Sequence, residues 1–146
     1  MVFLTFAAEF NAVNRLWSPE LDEAENVRVY AECANPAGHG HLYRVEVTLA
    51  ADVDMSRPNV IDRGAITRLI ETVLAPTLAN ANMDTTFGID RFISTGENVT
   101  KAIWDLVGPH VPEHTTLVAV RVVETPKNSF VYYGAGGPQR SALPMT

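Results

Sequence analysis

From Val2 to Ala12 the side chains alternate: Val2, Leu4, Phe6, Ala8, Phe10 and Ala12 share one parity, Thr5, Glu9 and Asn11 take the other, and Asn14 continues the apolar side. That period of two is the mark of a half-buried strand. The alternation returns from His41 to Ala50, where Tyr43, Val45, Val47 and Leu49 oppose Arg44, Glu46 and Thr48, and His39 shares the parity of the apolar set. The segment "ADVDMSRPN" is rich in turn formers and predicts a hairpin connection, after which "VID" predicts a short strand. Between Asp62 and Leu78 the period changes to that of a helix, with Ile66, Leu69, Ile70, Val73, Leu74 and Leu78 on one face and Asp62 as the N-cap. A second helix is predicted over "STGENVTKAIWDLV", where Ser94 and Glu97 have capping-box spacing and Val99, Ala102, Ile103, Leu106 and Val107 form the stripe. It ends near Gly108-Pro109, and "TTLVAVRVVET" and "SFVYYG" read as the last strands. The order β, β, β, α, α, β, β predicts an α+β domain over residues 1–134, an antiparallel sheet with both helices on one face, followed by a flexible C-terminal tail at 135–146.

Composition narrows the function classes. With 11 basic and 17 acidic residues the formal net charge is −6, and no cluster of Lys and Arg offers the counterion release on which nucleic-acid binding depends. The sole cysteine excludes an internal disulfide, and "MVFLTFAAEF" lacks the basic start of a signal peptide. No apolar run reaches the 18 or so residues of a membrane span, so a cytoplasmic protein with neither membrane nor nucleic acid as partner is expected.

Three features could carry chemistry. His39 and His41, two apart on a strand, point to one face with Cα atoms roughly 7 Å apart, which suits either a shared metal or a pair of hydrogen-bonded histidines. Cys33 is either a small buried hydrophobe or a base or nucleophile whose thiolate a neighbouring cation favours. Glu124 has the parity of Val118, Val120 and Val122, so its carboxylate either emerges into solvent at the strand end or accepts two N–H bonds from the edge of a planar heterocycle. Glu97 belongs to its cap, while His110 and His114 fall in a solvated loop.

The segments "FNAVNRLW", "ECANPAGHGHLYRVEV", "NVID", "STGENVTKAIWD" and "VVETPKNSFVYYG" resemble, in order and spacing, the 6-pyruvoyl-tetrahydropterin synthase family, which includes the 6-carboxy-tetrahydropterin synthases. The resemblance runs from about Phe3 to Gly134 and implies a tunnelling fold, in which a four-stranded antiparallel sheet with two helices on one face trimerises into a barrel and two trimers stack as a hexamer. It further implies a zinc site of three histidines, of which His39 and His41 match two, while the third position falls on Asn14. Cys33 matches a proton-transferring cysteine, and an Asp-His pair that completes the family's acid-base set falls on Ala79 and Asn80, with Asp84 four residues beyond. Glu124 and Thr125 match the substrate anchor, with Tyr43 and Thr95 as further substrate-binding positions.

An amide oxygen has neither the basicity of imidazole nor the charge of carboxylate, so zinc at Asn14, His39 and His41 is expected to be weakly held, with no other cofactor. Ala79 and Asn80 exchange no proton near neutral pH. The expectation is a divergent family enzyme of small-molecule biosynthesis: a homo-oligomer whose subunit-interface pocket performs a lyase, isomerase or cyclisation step on an altered substrate, with Cys33, His39 and His41 as catalytic residues. Two alternatives stand beside it, a non-catalytic binder of a pterin or purine-like ring and a zinc-dependent pterin synthase completed by Asn14.

Overall fold

Two long strands carry the architecture. β1 (Val2–Asn14) and β2 (His39–Ala51) pair antiparallel over their whole length, from Val2 opposite Ala51 to Asn14 opposite His39. The structure is a computed structural model and describes residues 1–52, 56, 61–88 and 92–137. Between the two strands lie α1 (Glu23–Tyr30) and a 3-10 turn at Ala31–Ala34. After β2 come α2 (Arg63–Leu69), a π-helical turn (Ile70–Leu74) and α3 (Ala75–Leu78) as one helical run, then β3 (Ala81–Asn82) and α4 (Met83–Phe87). The chain closes with α5 (Gly96–Val107), β4 (Thr116–Thr125) and β5 (Asn128–Tyr132). The strand order is β3-β1-β2-β4-β5, antiparallel except that β3 runs parallel to β1.

The core forms where the predicted apolar parities meet. Phe10 and Ala12 of β1, Tyr43, Val45, Val47 and Leu49 of β2, and Val120 and Val122 of β4 face one side of the sheet, and both helical runs pack there through Leu69, Leu74, Leu78, Val99, Ile103 and Val107. Burying a side chain of this size contributes about 1.5–3 kcal/mol, so this one layer accounts for the choice of face. Among the described residues no helix packs on the opposite face, and on it Phe3, Leu42 and Val131 are 64%, 56% and 42% exposed.

Several expectations are corrected. The sheet has five strands rather than four, because the two residues Ala81 and Asn82 join the outer side of β1. Of the short strand expected at "VID", Val60 lies outside the described residues, and Ile61 and Asp62 are not in a strand; Asp62 caps α2 as expected, its side chain accepting from Gly64 N at 2.7 Å. The first helix is interrupted by a π turn just before Pro76, whose ring has no N–H to give the preceding turn and crowds its carbonyl. The second helix begins at Gly96 with Thr95 as N-cap, accepting from Asn98 N, so Ser94 and Glu97 do not form a capping box. Most of the expected hairpin at "ADVDMSRPN", and residues 138–146 of the expected tail, lie outside the described residues.

Candidate functional site

The functional candidates gather at the end of the core face where β1, β2 and β4 run out. Asn14 stands opposite His39 and Ala12 opposite His41. Arg44 pairs with Val123, so the next step along the ladder brings Glu124 abreast of Tyr43. Gly38 lets β2 begin there: its φ of +67° is left-handed, and a Cβ on it would lie 3.0 Å from the Asn14 carbonyl oxygen. On the other side the 3-10 turn carries Cys33, tied to the end of β1 by Leu16 N donating to Cys33 O at 2.8 Å.

Within this cluster Asn14 and Tyr43 are buried and His39 and His41 half-buried. The buried atoms Asn14 Oδ1, His39 Nδ1, His41 Nε2 and Tyr43 Oη make no hydrogen bond among the described residues, and an unmet buried polar atom costs about 1–3 kcal/mol. The His39 and His41 rings meet edge to face at 4.6 Å between centroids, and His41 meets Tyr43 at 5.4 Å. Glu124 Oε1 lies 3.6 Å from His41 Nε2, an electrostatic neighbour beyond hydrogen-bond length.

Charge and burial set the protonation states. Burial pushes the His41 pKa down, Glu124 opposes that shift and His39 adds to it, so His41 is a neutral imidazole over more of the pH range. Burial, then Glu124 and Glu32, push the Cys33 thiol up, which keeps its proton in place near neutral pH rather than giving the thiolate expected of a base. Tyr43 is raised strongly, by burial first and then by Glu124, Asp84 and Cys33, and remains a phenol. The same charges place Cys33, Tyr43 and Glu124 in one electrostatic group.

Asn14 belongs to a buried network. Its Nδ2 donates to Ser94 O at 3.1 Å; Ser94 Oγ donates to Asp84 Oδ1 at 2.7 Å; and Asp84 Oδ2 accepts from Arg15 N at 2.8 Å. A carbonyl can only accept, so the nitrogen of the amide must face Ser94 and Oδ1 must face away from it. Ser94 and Asp84 are therefore committed to holding the end of β1.

The remaining expected positions have local duties. Thr95 caps α5, and Thr125 Oγ1 accepts from Lys127 N and Asn128 N in the turn into β5. Ala79 and Asn80 lie at the outer side of β1, Asn80 with a φ of 57° and its N–H donating to Asn11 O at 2.7 Å. They are not part of the Cys33–Glu124 group. His110 and His114 are exposed. Two clefts flank the histidines, one of about 450 Å³ bounded by Arg15, Trp17, Glu32, Asn35 and His39, the other of about 380 Å³ bounded by Asn11, Gly40, His41, Leu42 and Asn80. Neither is lined by Glu124. In the first, Arg15 stacks on Trp17 with its guanidinium carbon 3.9 Å from the ring centroid.

The zinc that the sequence resemblance implies can be tested against these donors. Two imidazoles and one neutral amide oxygen make up the set, and among the described residues no group of three His, Cys, Asp or Glu side chains is placed to hold a metal ion. Such a set does not fit a firmly bound zinc.

The fold and site define an α+β protein with a sheet covered on one face by helices and a histidine, thiol and carboxylate cluster at the strand ends. The chain belongs to the 6-pyruvoyl tetrahydropterin synthase family, whose sequence profile matches residues 3–135. It is 36% identical to a 6-pyruvoyl tetrahydrobiopterin synthase of Drosophila melanogaster over 137 residues, covering 92% of this chain and 80% of the relative. The corresponding human protein is 35% identical over 127 residues, 86% of each chain. The solved structure of Caenorhabditis elegans 6-pyruvoyl tetrahydropterin synthase superposes with a TM-score of 0.84 at 32% identity, covering 92% of this chain and 96% of that one. The tunnelling fold expected from the sequence is thus the fold of the chain.

Proposed function

We propose that this protein is a divergent enzyme of the family, acting on a small planar heterocycle held at Glu124 and performing a lyase, isomerase or cyclisation step on that ring's side chain. The observation that carries this reading is the grouping of Cys33, His41, Tyr43 and Glu124 at one end of the sheet. Glu124 accepts two N–H bonds from the amidine-like edge of the ring, the geometry in which a carboxylate is most selective. Cys33, held as a thiol, gives a proton to the substrate, and His41, which burial favours as the neutral imidazole, or its neighbour His39 takes one. Orientation in a water-poor pocket supplies the rest of the rate. No step depends on zinc, in keeping with the amide at position 14.

The pocket is completed by a neighbouring copy. A homo-oligomer, trimer or hexamer, covers the helix-free face of the sheet and closes over the strand ends where Glu124 lies.

A second reading has its own support. Ala79 and Asn80 have no side chain that acts as an acid or base near neutral pH, and the Cys33 thiol is raised rather than activated, which favours a protein that binds a pterin or purine-like ring without turning it over. Glu124→Ala and Cys33→Ala separate the two readings. Thermal shift with a panel of pterins should give a stabilised wild type and an unresponsive Glu124→Ala; a ligand at 100 times its dissociation constant adds about 2.7 kcal/mol. The enzyme reading requires Cys33→Ala to bind as before while turnover falls by about 10²-fold or more. Turnover that survives both substitutions rejects the site; binding with no turnover of any bound pterin selects the binder.

A further inference from the structure

We infer that the Asn14 amide, fixed by Ser94 and Asp84, turns the His39–His41 pair into a hydrogen-bonding site, and that position 14 alone withholds zinc from it. The inference rests on reading this pocket as a changed family site, and deepens that reading by naming the residue and the device responsible.

The device is a lock on orientation. Ser94 is fully buried, and its hydroxyl is held by Asp84 at 2.7 Å with the Arg15 carbonyl oxygen at 3.5 Å. Asp84 in turn is held by Arg15 N at 2.8 Å. The Ser94 carbonyl that results is a fixed acceptor, and the Asn14 Nδ2 bond to it at 3.1 Å leaves Oδ1 buried, unpartnered and on the side away from Ser94. His39, directly across the β1–β2 ladder, and His41, on the same face two residues on, present unpartnered ring nitrogens. Asn14 Oδ1 can only accept, and each ring nitrogen accepts or donates according to its tautomer. The group therefore favours a guest that offers N–H or O–H donors, a water or the edge of a bound ring. A metal ion would find two imidazoles and an amide oxygen, with the Glu124 carboxylate 3.6 Å from His41 Nε2.

Zinc binding without substrate tests this apart from turnover. The wild type, Asn14→His and Asn14→His with His39→Ala are loaded with zinc and dialysed. Zinc per chain is then measured, and affinity follows from competition with a chromophoric chelator. The wild type should emerge nearly free of zinc. Asn14→His should keep about one per chain and bind on the order of 100-fold more tightly, a gain the added His39→Ala abolishes. In the Asn14→His background, Asp84→Ala should weaken zinc roughly 10-fold while Asp84→Asn, which still accepts from Ser94, retains it. Stoichiometric zinc in the dialysed wild type overturns the inference whether or not the variants fold. So does an Asn14→His protein with unchanged circular dichroism that binds zinc no better than the wild type. Equal affinities for the two Asp84 variants overturn the lock.

Discussion

At the scale of single residues, parity along the strands put His39, His41, Tyr43 and Glu124 on the core side of the sheet but could not assign their protons. Cys33, His39, His41, Tyr43 and Glu124 stand at one end of the sheet, yet the thiol is raised, by burial first and then by the carboxylates of Glu124 and Glu32. A sequence lists the residues but not which charges end up adjacent. Asp84 shows the same limit, since nothing in "NANMD" marks its carboxylate as the anchor for Ser94 and for the Arg15 N–H. Asp84→Ala leaves two buried donors unmet and should destabilise the fold by roughly 1–3 kcal/mol for each, read from the urea midpoint. Glu46 gives a prediction in pH. Burial works to raise its carboxyl pKa, but hydrogen bonds from Arg44 at 2.9 Å and Arg121 at 3.1 Å outweigh that and hold it below its ordinary value. A lowered folded-state pKa stabilises above the unfolded value and loses that contribution as pH falls through the folded one. Wild type and Glu46→Gln should therefore differ in urea midpoint at neutral pH and converge once the pH has fallen below the lowered folded-state value.

At the scale of elements, what was legible followed the apolar periods. The two long strands, both core helices and the last hairpin stand where the alternation and the helical stripes put them, because the middle of each pattern packs into the core, although Val2 and Leu4 at the start of β1 stay exposed. α1 had no such pattern. Its one buried residue is Asn26, whose Nδ2 reaches the carbonyl oxygens of Ser18, Leu21 and Asp22 while its Oδ1 accepts from Ser18 N, so polar bonds fix this helix in place. Val27 and Val29 on it remain exposed, and a reading of apolar spacing passes over it. The start of α5 was misplaced for a related reason: Ser94 had a tertiary partner in Asp84 that outcompeted local capping, and Thr95 took the cap. Gly96, the first residue of α5, then sits against the Phe130 ring of β5, where a Cβ would collide. Alanine is the better helix former, so propensity alone predicts a gain of about 1 kcal/mol. The contact reverses the sign: Gly96→Ala should lower stability by about 1–3 kcal/mol through overpacking, and the urea midpoint of the purified variant decides between the two.

At the scale of the whole molecule, the asymmetry of the sheet sets the main expectation. One face is packed by helices over the core, with Val2 and Leu4 at its margin exposed, whereas the other exposes Phe3 on β1, Leu42 on β2 and Val131 on the edge strand β5. The charges on that face are largely matched among themselves, Arg44 with Glu9 and Glu46, and Arg121 with Glu46 and the Ser129 hydroxyl. A face of exposed apolar side chains and compensated charge suits another protein surface better than a polyanion. If a further copy of the chain is that surface, the wild type should sediment as a trimer or hexamer of the 16.0 kDa chain. Phe3→Glu combined with Val131→Glu places uncompensated charge in the contact and should shift the population to smaller species. The helix-covered core lies on the opposite side, so far-ultraviolet circular dichroism should be unchanged. The same variant should lose ligand stabilisation in the pterin screen, because the pocket at Glu124 would lack the neighbouring copy that closes it. A wild type that sediments as a monomer would remove both the interface and the shared pocket. A dissociated variant that still binds would keep the interface but place the whole ligand site within one chain.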